Sequence, residues 1–506
     1  MKYKIKSLFK ADISKMYIIG VLLISILMIG GFFSYAMFTV SKEKKNAISI
    51  VTGNLVYDLK VDGVKSNTIT INGSSSKEYT ITLANPNNRK ARFNFYYIGS
   101  LDSNVTAGYV TSDGINTPPG AKGINLEKTG ASGSSNTYKI KVKNNSTSSK
   151  AITLGVSVGL DYNDLTLPSN GHLFEETSFT AVETLLAKVN AEDLDYNSAT
   201  EVQKKEMWTH SHPETEQTEA LTDYRYIGAN PNNYVTFNDE LWRIIGVFTV
   251  DDGTGKKEER LKLIRDEPIG YYSWDNKNTS TGAESGYGKN NWTDARLNYL
   301  LNPGHESESV GGSLYWNSGS GTCYKGQNNA TTSCDFTTTG LKDKAKNMIG
   351  DTLWYLGGTE DYTTASNGLT NHFYSYERGT TVYSGRDTNF VGKVGLMYPS
   401  DYGYATSGGS TTNRNACLNK ELYNWDSSSY SDCKNNDWLY NSSIHQWTIM
   451  PHASNSYYVF HVRTAGFLSG YDVTNSYGAR PVVHLKSNIK IVSGDGSSSN
   501  PYILQS

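Results

Sequence analysis

The sequence predicts a mainly β chain behind one N-terminal membrane helix, and three observations carry that prediction. Residues 16–38 (MYIIGVLLISILMIGGFFSYAMF) hold no charge. From residue 47 onward, apolar side chains recur at every second position in segment after segment. Tyrosine (36) and glycine (47) are abundant, whereas charged residues make up 19% of the chain. Tyr and Thr suit pleated surfaces, and Gly and Asn suit the turns between strands. A net charge of −2 provides no basic field, which excludes a nucleic-acid partner held through its phosphates.

At about 1.5 Å per helical residue the run 16–38 is long enough to cross a hydrocarbon core of roughly 30 Å. Lys2, Lys4, Lys6, Lys10 and Lys15 precede it. Lysine-rich flanks stay in the cytoplasm, so residues 1–15 read as a cytoplasmic tail and the bulk of the chain as extracellular. Ser34-Tyr35-Ala36 also has the small-x-small form of a signal-peptidase site. The expected protein is therefore single-pass in the cell membrane, or secreted if cleaved after Ala36. Residues 30–61 (GGFFSYAMFTVSKEKKNAISIVTGNLVYDLKV) resemble the N-terminal region of the camelysin and biofilm-matrix-fibre family of Gram-positive bacteria. That resemblance implies signal cleavage followed by the first strand of a β-sandwich.

Between 47 and 162 the alternation is regular. Tyr79, Ile81 and Leu83 share a face, as do Ala91, Phe93, Phe95 and Tyr97. Tyr138, Ile140 and Val142 alternate with Lys139, Lys141 and Lys143; Ile152, Leu154, Val156, Val158 and Leu160 close the series. Half-apolar strands broken by Asn, Gly, Ser and Pro turns predict an antiparallel, immunoglobulin-like sandwich, read as a stalk or assembly module. Residues 163–225 read as a linker. Within it, Val182, Leu185, Leu186 and Val189 have helical spacing and predict a short helix over 178–190. His210-Ser211-His212 could chelate a metal, but with no third ligand beside it the pair reads as a solvated loop.

Residues 226–506 predict an α+β domain. Residues 234–248 (YVTFNDELWRIIGVF) form a hairpin turning at Asn238-Asp239-Glu240, and 260–266 supply the neighbouring strand. A helix capped by Thr293 or Asp294 turns Leu297, Leu300 and Leu301 inward and stops at Asn302-Pro303-Gly304. A second helix has Leu341, Ala345, Met348 and Ile349 on one side. Strands return at 458–463 and 480–485, and NIKIV-SGDGSSSNP-YIL closes the domain as a hairpin. Four cysteines fall as two local pairs, Cys323 with Cys334 and Cys417 with Cys433. In an oxidising compartment this favours two disulfides, since zinc would need C-x-x-C spacing or neighbouring histidines. FNDELWRIIGVF, YERGTTVYSGR, KVGLMYPSDYGYAT, NDWLY and ARPVVHLKSNIKIVSGDGSSSNPYIL resemble a large group of Firmicutes cell-surface proteins. Their C-terminal domain is similar to the C-type-lectin and formylglycine-generating-enzyme folds. The resemblance implies a C-type-lectin-like architecture and no particular activity. No motif aligns the enzyme cysteines of the latter group here.

For chemistry the sequence has no G-x-S-x-G elbow, P-loop or dinucleotide glycine pattern in a strand-to-helix setting. Glu377 and Asp401 are the carboxylates one would pair as a glycosidase, and no residue stands out as catalytic. His461, Arg463, Arg480 and His484 would share one sheet face if their strands were neighbours, forming either an anion pocket or a solvated surface. The favoured binding region is 398–447. There Tyr402, Tyr404, Trp425, Asp437, Trp438 and Trp447 combine aromatic faces for sugars with a carboxylate for hydroxyls. The competing reading makes the tryptophans core. Asn435, Asn436 and Asp437 are the calcium candidates, calcium preferring several oxygen ligands; no other cofactor is implied. The expected function is non-enzymatic adhesion or recognition of a glycan or of a host or neighbour protein. The alternatives are a matrix-fibre protein released by cleavage and a surface polysaccharide hydrolase.

Overall fold

The computed structural model describes residues 55–110, 116–159, 165, 167–176, 179–215 and 218–506. The cytoplasmic tail, the apolar run 16–38 and the Ala36 site lie outside the described residues. No helix among the described residues is long and apolar enough to cross a membrane. The fold is mainly β, in several sheets, and divides into two compact units at Thr177/Ser178.

The first unit is a two-sheet sandwich. One sheet runs in the order Val64–Lys65, Asp58–Val61, Ser75–Ala84, Ser135–Asn144, Val105–Gly108. The other runs Gly171–His172, Ala91–Ile98, Lys150–Gly159, Thr68–Ile71, with Ile124–Leu126 also paired to Ala91–Ile98. The alternating stripes face inward as their period requires. Ile81, Leu83, Tyr138, Ile140 and Val142 from one sheet meet Phe93, Phe95, Ile152, Leu154 and Val156 from the other in a single core. Burying a side chain of this size contributes about 1.5–3 kcal/mol. The sandwich extends past residue 162, because Gly171 and His172 pair with Ile98 and Tyr97.

The second unit begins in the stretch expected to be a linker. Its first helix, Ala181–Leu186, is shorter than the period suggested. Thr180 caps it in a reciprocal box with Glu183, and Ala181, Val182 and Leu185 are buried. Met207–His212 and Leu221–Tyr226 then pair antiparallel, and the latter joins Glu240–Asp251 of a nine-stranded sheet. Residues 181–225 are thus part of the domain, because their apolar side chains have a sheet to cover. The path of that sheet is Val394–Gly395, Val482–His484, Lys257–Arg265, Glu240–Asp251, Tyr234–Phe237, Tyr502–Gln505, Lys490–Ser493.

The expected hairpin turns at Asn238 and Asp239, with φ of 60° and 59°. Asn and Asp reach that left-handed region at low cost. The closing hairpin pairs Lys490–Ser493 with Tyr502–Gln505, and the Ala181 N–H donates to the Ile489 carbonyl at 2.6 Å, so the two ends of the unit meet. A five-stranded sheet holds Tyr271–Tyr272, Tyr477–Gly478, Gln446–Pro451, Tyr458–Val462 and Leu468–Asp472. In the helix Arg296–Leu301, Leu297, Leu300 and Leu301 are buried as expected, although Ala295 occupies the cap position and no side chain caps it. Both disulfides are formed. Cys323–Cys334 ties Ser320–Tyr324 to Thr331–Asp335, and Cys417–Cys433 ties the helix Arg414–Leu418 to Ser431–Asn435.

Candidate functional site

The aromatic region 398–447 is core. Tyr402 and Trp425 are fully buried, and Trp447 and Trp438 nearly so. The polar atoms of Tyr402, Trp447 and Trp438 are spent on the fold, while Trp425 Nε1 is buried with no hydrogen-bond partner among the described residues. Tyr402 Oη donates to the Gly466 carbonyl at 2.7 Å, Trp447 Nε1 to Tyr272 O at 2.9 Å and Trp438 Nε1 to Tyr226 O at 2.9 Å. Asp437 is buried, and its Oδ1 accepts from the Leu439 N–H at 2.8 Å. Burial holds its carboxyl well above the ordinary range, and the backbone bonds do not offset that. These five residues therefore present no surface to a sugar, because large rings gain most where they leave water. The calcium candidates separate as well. Asn435 is exposed, Asn436 Nδ2 donates to Asp432 O, and Asp437 lies inside. No group of three His, Cys, Asp or Glu able to hold a metal occurs among the described residues.

The other speculative sets also dissolve. His461 and His484 stand in different sheets, and Arg480 is buried on Gln446 Oε1 at 2.8 Å. Glu377 and Asp401 are both sequestered. Asp401 accepts from Lys262 Nζ at 2.5 Å, Arg225 at 3.2 Å and the Tyr398 N–H at 2.8 Å. Glu377 is held by Ser400 through N–H and Oγ, at 2.8 and 2.6 Å.

Of the six aromatic-region residues Tyr404 lines a cleft. That cleft, about 480 Å³, lies beside the strand Met207–His212, the helix Thr370–Arg378 and the helix Arg414–Leu418. Met207–His212 is an edge strand of the sheet, paired along its length with Leu221–Tyr226 and bridged on its other side at Trp208 by Asn190. Its alternation turns Trp208, His210 and His212 to the face that also carries Asp223 and Arg225, since His210 sits opposite Asp223 and Trp208 opposite Arg225. Far from being a solvated loop, the His210-Ser211-His212 segment is part of the sheet. The signal was present in the sequence: MWTHSH and LTDYRY alternate in step, two short strands in tandem.

His212 anchors the cleft. Its Nε2 lies 2.8 Å from Asp223 Oδ2, which Arg225 NH2 meets at 2.7 Å. The imidazole lies flat on Tyr374, centroids 3.5 Å apart and planes 3° from parallel. Behind it the Arg225 guanidinium covers Phe248 and Tyr404 at 4.5 and 5.0 Å and continues to Asp401 and Lys262. Burial alone would raise Asp223, but Arg225 and His212 hold it well below the usual carboxylate range. Burial lowers His212 despite the Asp223 hydrogen bond, and lowers His210 to about 2. Both histidines are neutral at pH 7, and the contact with Asp223 is a neutral imidazole N–H donating to a carboxylate.

The rest of the wall is amide, hydroxyl and ring. Asn371, Asn415 and Asn419 stand with Tyr374, Tyr376 and Tyr404, and among the described residues no Asp, Glu, Lys or Arg lines the cleft. The charges beneath it are compensated among themselves. A second cleft of about 620 Å³ shares His210, Asn415 and Leu418 with the first. Compared with protein-family models, with curated proteins and with solved structures, the chain matches none of them.

Proposed function

We propose that the chain is a bacterial surface protein, membrane-anchored or released by cleavage, whose second unit recognises a neutral, hydroxyl-rich ligand of the carbohydrate class without transforming it. The observation that carries this reading is the lining of the His212 cleft: aromatic rings, three asparagines and several hydroxyls, with no charged side chain among the described residues. Sugar rings lay apolar faces on aromatic side chains and offer hydroxyls to amides, so such a wall complements a neutral saccharide. Polar groups fix orientation while rings supply contact area. The uncharged run 16–38 and the two disulfides support an extracellular setting. The meeting of first helix and last hairpin in the second unit supports the lectin-like organisation, and the paired sheets of the first unit support an immunoglobulin-like stalk. Glu377 and Asp401, closed off from the cleft, give a paired-acid glycosidase no support.

The test is binding of the intact, detergent-solubilised protein to an array of neutral, acidic and N-acetylated saccharides. Selective binding to neutral members, unchanged by chelator, is expected. A blank array from folded protein, or binding confined to acidic members, overturns the reading.

A further inference from the structure

The hydrogen bonds beneath the cleft settle more than its polarity. Asp223 Oδ2 receives two donors, His212 Nε2 and Arg225 NH2, at 2.8 and 2.7 Å, and all three side chains are at most 4% exposed. An ionised carboxylate only accepts. The imidazole proton must therefore sit on Nε2, and Nδ1 carries a lone pair. The ring cannot turn to change this, because Tyr374 stacks on it face to face and Asp223 holds its far edge. His212 lines the cleft, and among the described residues Asp223, at Nε2, is its hydrogen-bond partner, with none at Nδ1.

We propose that His212 Nδ1 is the specificity-determining acceptor of the cleft: it requires a hydroxyl donor from the ligand, so the bound saccharide carries one free hydroxyl that the protein reads. This rests on the recognition reading above and narrows it. Amide and hydroxyl groups can each donate or accept, and those of the wall bond partly to one another, as Thr215 does to Thr218 and Ser375 and Asn419 to Asn415, so none of them demands a donor of the ligand. His212 does, because its tautomer is fixed by a buried carboxylate that is itself fixed by Arg225. A ligand lacking the donor displaces water from the nitrogen and leaves it unpaired. A site built to bond a hydroxyl discriminates most strongly against the analogue that lacks it.

Two measurements test this. The first is the ¹⁵N spectrum of the imidazoles in the ligand-free protein, assigned with His212→Phe. A protonated Nε2 and an unprotonated Nδ1 are expected; a protonated Nδ1 overturns the proposal. The second uses the unaltered protein and single-position deoxy analogues of the neutral saccharide that the array identifies. Removing one particular hydroxyl is expected to weaken binding roughly three- to tenfold, the worth of one such hydrogen bond. His212→Phe is expected to abolish that discrimination while retaining the thermal transition of the second unit. If no deoxy analogue differs from the parent by more than about twofold on this scale, the proposal fails while the recognition reading stands. A blank array brings down both.

Discussion

The two units solve the same problem, covering a β-sheet, with opposite materials. In the first unit the inward face is aliphatic and aromatic, and apart from Lys141, buried beside Glu78, its ion pairs lie toward solvent, Lys77–Asp62 with side chains 54% and 40% exposed. In the second unit Asp223, Arg225, Lys262 and Asp401 are at most 3% exposed, alongside Trp242, Trp354 and Trp425. The difference teaches where specificity is stored. A sandwich built on period-two stripes tolerates change at its polar positions. A core built around buried ions does not, because each charge there depends on one particular partner.

The sharpest way to break that contrast is Asp401→Ala. It strips the counter-charge from Arg225 and Lys262 and the acceptor from the Tyr398 N–H in one step. Leaving buried cations uncompensated costs about 3–5 kcal/mol. Calorimetry should show the transition of the second unit falling steeply while that of the first stays in place. Lys77→Ala, in the first unit, should cost under about 1 kcal/mol, as exposed pairs do. Equal losses from the two changes would erase the distinction.

Next in size is the Cys417–Cys433 disulfide. Closing a loop of this length contributes about 3 kcal/mol in the chain-entropy model. All four cysteines lie in the second unit, so reductant should lower its transition alone. The double change Cys417→Ser with Cys433→Ser should also weaken saccharide binding, since Arg414–Leu418, the stapled helix, supplies Asn415 and Leu418 to the cleft wall. Binding that survives the double change in folded protein would show that the wall holds without its staple.

How much of this was legible in the sequence follows the same divide. The stripes Tyr79/Ile81/Leu83 and Tyr138/Ile140/Val142 announce their strands and their buried face, because period two is a property of the backbone. The Asn238-Asp239 turn and the cysteine pairing are local and equally readable. The cleft is not. Aromatic density over 398–447 marks the core that rings seek, so Trp425 and Trp447 point away from the site. His212, Asp223, Tyr374 and Asp401 come together only when an edge hairpin and two helices meet. No spacing along the chain encodes that meeting, although the alternation across 207–226 could have brought His210 and His212 into a sheet.

The smallest effect, and the one that separates the two cores most cleanly, is pH. Burial raises the Glu377 carboxyl to about 7, against the pull of Arg378 and of the Ser400 hydrogen bonds. A carboxyl whose folded pKa exceeds its unfolded value near 4.5 favours folding while protonated. Its contribution is complete below about pH 4.5 and is lost as pH rises through 7. Asp223 works the other way. Its folded pKa is depressed, so its contribution is present above the ordinary carboxylate value and is lost as pH falls through the folded pKa. The second unit should therefore lose stability toward alkaline pH through Glu377 and toward strong acid through Asp223. Glu377→Gln should remove only the alkaline limb: little change in Tm at pH 4.5, and a Tm above that of the unaltered protein at pH 8. The amide keeps the carbonyl that accepts from Ser400 and carries no charge to desolvate. A parallel shift at both pH values would mean that Gln repacks the site rather than removing a titration, and the alkaline limb would then belong to another group.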